Sequence, residues 1–70
     1  MMSILKKLRM EHGYTVRSLG KVTGIAHPRI SRMENRLEKV WGNDVRRLGE
    51  VLPLPEGGIT DESGFARLAE

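Results

Sequence analysis

Between Val16 and Asn35 the chain reads VRSLGKVTGIAHPRISRMEN, a stretch that few folds accommodate. Leu19 and Thr23 lie one helical turn apart, and Ile30 and Met33 lie three residues apart on a second helix. Gly24 falls where the first helix must stop, because a residue without Cβ takes the left-handed conformation that ends helices. Gly20 is small where a second helix crosses close to the first. The pattern predicts two short helices locked at a sharp angle.

The remaining residues supply further helices. Ser3 is placed to cap a first helix that reaches His12, with Leu5 and Leu8 facing inward and Gly13 as the stop. Thr15 caps the second helix, over about Val16 to Thr23. Pro28 suits a first helical turn but disfavours helical geometry at His27, so the third helix is expected from Pro28 to about Glu34. After a polar connection, Trp41, Val45, Leu48 and Leu52 line one face of a fourth helix, which Pro53 and Pro55 end. On this pattern Trp41 belongs to the core rather than to a base-stacking surface. No internal repeat and no alternating strand pattern is present. The expected fold is all-α.

Charge divides the chain into two parts. Residues 1–52 hold eleven Lys and Arg against five Asp and Glu, a balance of +6, whereas residues 53–70 hold one base against four acids. A basic body suits a polyanionic partner, and an acidic tail suits a separate duty. The tail begins with a flexible Gly57–Gly58 pair, after which Thr60 or Asp61 is placed to cap a short helix carrying Phe65 and Leu68. The organisation expected is thus a body over 1–52 and a tail over 53–70.

Other function classes find little support. Seventy residues make one domain near the lower limit for a self-sufficient core. The chain has no cysteine, which rules out disulfides and thiolate metal sites. His12 and His27 have no nucleophile or metal-ligand partner at useful spacing, so neither an enzyme nor a metal or other cofactor is expected. The apolar runs are too short to span a bilayer, and MMSILKKLRMEHG carries charges that a secretory signal lacks. A cytoplasmic protein, nucleoid-associated when bound, is the expectation.

From Leu5 to about Leu52 the chain resembles the Cro/C1-type helix-turn-helix domain of phage repressors and their bacterial relatives. Matching residues are Leu8 and Arg9, Gly13, Thr15, Leu19, Gly24 and Ile25, Ile30 through Asn35, and Leu48 with Gly49. The resemblance implies a compact four- to five-helix bundle of the lambda-repressor type. It also implies that the third helix enters the major groove of double-stranded DNA. The sequence departs from the family at Val16, where Gln is common, and at Thr23, where an apolar residue is usual. It departs again at Ala26, a usual Ser or Thr cap, and at Arg36, where Gly is frequent.

Under that resemblance the residues acquire roles. With Ile30 and Met33 turned inward, Arg29 and Arg32 are expected to project into the groove, with His27, Pro28 and Ser31 as further base-reading candidates. The bland alternative leaves both arginines as solvated helix charges. Thr15, Val16 and Arg17 open the second helix with free backbone N–H groups, a seat for phosphate. Asn35, Arg36 and Lys39 follow the third helix, where the family grips the sugar–phosphate backbone. Arg9 and Glu34 occupy positions that often form an ion pair between the first and third helices. Phe65 and Leu68 exceed what a four-helix core needs and are assigned to dimerisation, the alternative being a frayed terminus. The expected function is a small homodimeric repressor, an autoregulator of phage type, on a palindromic operator. The alternative is an antitoxin-like protein whose tail neutralises a partner protein.

Overall fold

Ser3 opens the first helix by accepting the Lys6 N–H at 3.1 Å, and α1 runs Ile4–Glu11. The computed structural model describes residues 1–69. Helix α2 (Val16–Thr23) carries a capping box: Thr15 Oγ1 accepts the Ser18 N–H at 3.0 Å, and Ser18 Oγ accepts the Thr15 N–H at 2.9 Å. Gly24 closes α2 in the left-handed conformation at φ 77°. Helix α3 (His27–Glu34) begins one residue before the expected Pro28, which takes the second position. Proline is tolerated there because a first-turn N–H has no helical acceptor to lose. Helix α4 (Gly42–Gly49) also stops earlier than the apolar stripe suggests. Val51 and Leu52 follow it as a tight turn, both donating to the Leu48 carbonyl.

The angle between α2 and α3 has a steric origin. A Cβ on Gly20 would sit 2.9 Å from the Ile25 carbonyl oxygen and 3.3 Å from His27 Cβ. The turn therefore lies directly on α2. Thr23, buried where the family prefers an apolar residue, serves this turn: its hydroxyl donates to the Leu19 carbonyl at 2.7 Å and accepts the Ile25 N–H at 3.2 Å.

Leu5, Leu19, Ile25, Ile30, Met33, Val40, Leu48 and Leu52 form the core, and the tail adds Ile59 and Ala66. Trp41 does not join it. The helix starts only at Gly42, so Trp41 is its extended cap residue, off the helical face, and it is 61% exposed. The Lys39 ammonium lies 5.7 Å from its ring.

The tail differs most from expectation. Among the described residues after Pro53 there is no helix. Asp61 instead organises a turn, its Oδ1 accepting the N–H of Ser63 at 2.9 Å and of Phe65 at 3.0 Å. The tail pairs with itself through one isolated bridge, Thr60 to Ala66, and with the N-terminus through another, Ser3 to Leu68. Ile4 N–H donates to the Arg67 carbonyl and Ala69 N–H to the Met2 carbonyl, each at 2.8 Å. Val40 N–H donates to Gly64, which ties the tail to the α3–α4 connection as well. Backbone pairing with α1's entry outweighs the weak helix signal of a Gly-rich segment. The fold is an all-α, four-helix domain with an irregular tail folded into it.

Candidate nucleic-acid interface

Helix α3 presents two unlike faces. Ile30, Met33 and Glu34 are buried, while His27, Pro28, Arg32 and Asn35 are exposed and Ser31 is half-buried at the edge. Arg29 leaves the exposed face. It stands four residues before Met33, on the inward flank, and its fork clasps the buried Asp44 of α4 through Nη1 at 3.1 Å and Nη2 at 2.8 Å. Its Nε donates to Glu38. The expectation that Arg29 projects outward like Arg32 is thereby corrected. Arg32 donates only Nε, to the other Glu38 oxygen at 2.8 Å, and its terminal nitrogens have no partner among the described residues.

Local sequence does not single out Glu38 and Asp44, because bases outnumber acids in this region. The available signal was two acids, besides Glu34, inside the strongly basic 29–47 stretch. Arg29 and Arg32 hold the Glu38 carboxyl below its ordinary range by hydrogen bonding to it. Burial raises the Asp44 carboxyl, but the bonds from Arg29 and from the Trp41 N–H outweigh it and leave the group lowered. Arg29 is correspondingly raised, chiefly by Asp44 and then Glu38.

A helix-turn-helix family model matches residues 5–56. The chain belongs to the Cro/C1-type helix-turn-helix family. This helix-turn-helix protein is therefore a DNA-binding regulator of transcription. Neither the curated proteins nor the solved structures yield a significant match. Among the described residues, no helix is long and apolar enough to cross a membrane, and no cluster of His, Asp or Glu is arranged to hold a metal ion.

The remaining candidates of the helix-turn-helix domain fall around this face. Thr15, Arg17, Lys21 and His27 line an open cleft where the starts of α2 and α3 meet. Thr15 and Arg17 are exposed, whereas Val16 is half-buried against the core. The capping box engages the Ser18 N–H and leaves those of Val16 and Arg17 as the helix's outward donors. After α3, Asn35 Nδ2 donates back to the Ser31 carbonyl at 2.9 Å. Arg36 adopts φ 59°, the left-handed region, which accounts for the glycine frequent there in relatives. Its Nη2 donates to Asp61 at 2.7 Å. The Lys39 ammonium lies over the rings of Trp41 and Phe65.

Arg9 and Glu34 are brought together in a buried, two-pronged pair. Nε donates to Oε2, Nη2 donates to Oε1 at 3.1 Å, and Nη1 reaches the Tyr14 carbonyl at 2.9 Å. Phe65 is half-buried beside Arg36 and Lys39 rather than exposed, while Leu68 is 41% exposed near the exposed Met2. The reason for assigning residues 53–70 to an interface, that the core has no use for them, does not hold: Ile59 and Ala66 are fully buried.

Proposed function

We propose that this regulator is a homodimeric repressor, of the autoregulating phage type, that reads a palindromic operator with α3. The observation that carries the reading is the exposed face of α3, on which Arg32 alone keeps both terminal guanidinium nitrogens free. That fork matches the two acceptors a guanine shows in the major groove. Pro28, Ser31 and His27 flank it and complete the base-reading set, from which Arg29 is withdrawn. Thr15, Val16 and Arg17 on one side, and Asn35, Arg36 and Lys39 on the other, are placed to hold the phosphate backbone.

Dimerisation follows from size. One small domain covers limited DNA, and two copies on half-sites about 34 Å apart supply affinity and specificity. Of the two residues assigned to the interface, Leu68 lies at an exposed apolar edge that Met2 extends, whereas Phe65 is engaged within the chain and supports it only indirectly. A tail packed on α1 favours this reading over the antitoxin-like alternative, which calls for a free acidic arm. The protein acts in the cytoplasm, at the nucleoid when bound. It has no enzymatic activity and no cofactor.

Selection of bound sequences from random duplex DNA, followed by footprinting, tests the proposal. A two-fold symmetric motif with half-sites one helical turn apart is expected. Enrichment of no sequence overturns the operator reading, and a single unrepeated half-site overturns the dimer.

A further inference from the structure

Four side chains form one continuous chain of ion pairs across α3, the α3–α4 connection and α4. Asp44 holds the fork of Arg29, Arg29 Nε reaches one oxygen of Glu38, and the other oxygen of Glu38 accepts Arg32 Nε at 2.8 Å. Its two ends differ in exposure. The Asp44 side chain is nearly buried at 7%, those of Glu38 and Arg29 are intermediate, and that of Arg32 is 49% exposed. Asp44 is anchored further by accepting the Trp41 N–H at 3.0 Å. The inner end of the chain is thus fixed to the body of the domain, and the outer end faces solvent.

We propose that Glu38 is a positioning residue for base reading, which aims the fork of Arg32 at a single base pair. The proposal rests on the operator reading given above. Its chemical basis is the division of guanidinium donors. Glu38 occupies Nε, the donor on the side of the stem, and leaves Nη1 and Nη2 for the paired acceptors of guanine. An arginine on an exposed helix otherwise samples many rotamers, and ordering it on binding is unfavourable. Tethering to Glu38, itself held by Arg29, removes much of that freedom beforehand. The carboxylate also competes with phosphate for Arg32, so the side chain is kept for a base rather than for the DNA backbone. Arg29, with both terminal nitrogens on Asp44, acts one step further back as support for Glu38.

The test uses the full chain and four variants: Glu38→Ala, Glu38→Gln, Arg32→Ala and the double Arg32→Ala/Glu38→Ala. Each is subjected to selection from random duplex DNA, and binding to the selected and a scrambled duplex is then titrated. Arg32→Ala is expected to relax preference at one base pair per half-site by roughly 5- to 150-fold. Glu38→Ala should relax the same base pair, Glu38→Gln should fall between it and wild type, and the double variant should match Arg32→Ala. Affinity of the Glu38 variants for scrambled duplex should hold or rise, because an acid has left the DNA-facing side; a merely structural role would lower both affinities together. Circular dichroism checks the fold, and Glu38→Gln decides if Glu38→Ala is unfolded. Preference retained by the Glu38 variants at the Arg32-dependent base pair overturns the assignment while leaving operator reading intact. No Arg32-dependent base pair overturns it as well. No enriched sequence for wild type overturns the operator reading, and the role of Glu38 falls with it.

Discussion

Arg36 Nη2 and Asp61 Oδ2 meet at 2.7 Å across 25 residues of chain, joining the residue after the third helix's cap to the acidic tail. Asp61 has two tasks, because its other oxygen accepts the Ser63 and Phe65 N–H groups that shape the turn. An acid on Arg36 competes with DNA phosphate for the same cation. Asp61→Asn keeps an oxygen for the turn but withdraws the charge. Affinity for scrambled duplex should rise, and the slope of log K against log salt should steepen by about 0.9. Thermal stability should change by no more than about 1 kcal/mol, the range of an exposed pair. An unchanged salt slope in titrations at several salt concentrations removes Arg36 from the phosphate-binding set.

The Arg9–Glu34 pair is buried and doubly hydrogen-bonded, so removing one partner strands the other. Glu34→Ala should destabilise the domain by roughly 3–5 kcal/mol in urea unfolding, whereas a double replacement by Met at Arg9 and Leu at Glu34 should recover most of it. A small effect of the single change would show that water reaches Arg9.

Gly20 is held against the turn. Gly20→Ala forces a methyl within 2.9 Å of a backbone oxygen, which cannot swing aside as a side chain does. A loss of about 1–3 kcal/mol is expected, together with weakened operator binding, since the angle between the second and third helices must open. Differential scanning calorimetry and a DNA titration measure the two effects.

Ile59 tests whether the tail belongs to the domain. It is 1% exposed in the core, and Ile59→Ala should destabilise by about 2–5 kcal/mol. For the same reason truncation at residue 57 is expected to unfold the protein, and so cannot report on dimerisation. Leu68→Glu, at the exposed edge, is the informative variant. It should shift sedimentation toward monomer with the melting temperature of the protomer nearly unchanged.

Acid should loosen the region between the third and fourth helices. The carboxyls of Glu38 and Asp44 are both lowered from ordinary values of 4.5 and 3.8. Groups lowered in the folded state contribute stability that is fully present above the unfolded values and is lost as pH falls through the folded ones. Stability should therefore be level with respect to these two groups above about pH 5 and should decline below about pH 4. Asp44→Asn should flatten that decline in unfolding curves recorded from pH 2 to 6.

The helices themselves were legible from local chemistry. Ser3, Thr15 and Gly24 mark helix boundaries through hydrogen bonds and backbone conformation that involve only near neighbours. The third helix starts one residue before the position that proline favours, because proline's effect on His27 is a preference and the turn held by Gly20 and Thr23 overrides it. Trp41 shows the limit of periodicity: a residue at helical spacing lies off the helical face when the helix begins just after it.

The 70-residue order of side chains, read locally, was enough to specify the helix-turn-helix and the family to which it belongs. Apolar spacing, caps and a small residue at the crossing all act over a few positions and need no distant partner. The division of labour between Arg29 and Arg32 is of another kind. They stand three positions apart and their chemistry is identical, yet one is drawn onto Asp44, fifteen positions along, while the other engages only its Nε and leaves its terminal nitrogens without a partner among the described residues. The tail followed the same rule, taking its conformation from backbone pairing with Met2 and Ile4 rather than from its own weak helical pattern. Long-range ion pairs and backbone bonds depend on which surfaces packing brings together, and that information exists only once the chain has folded.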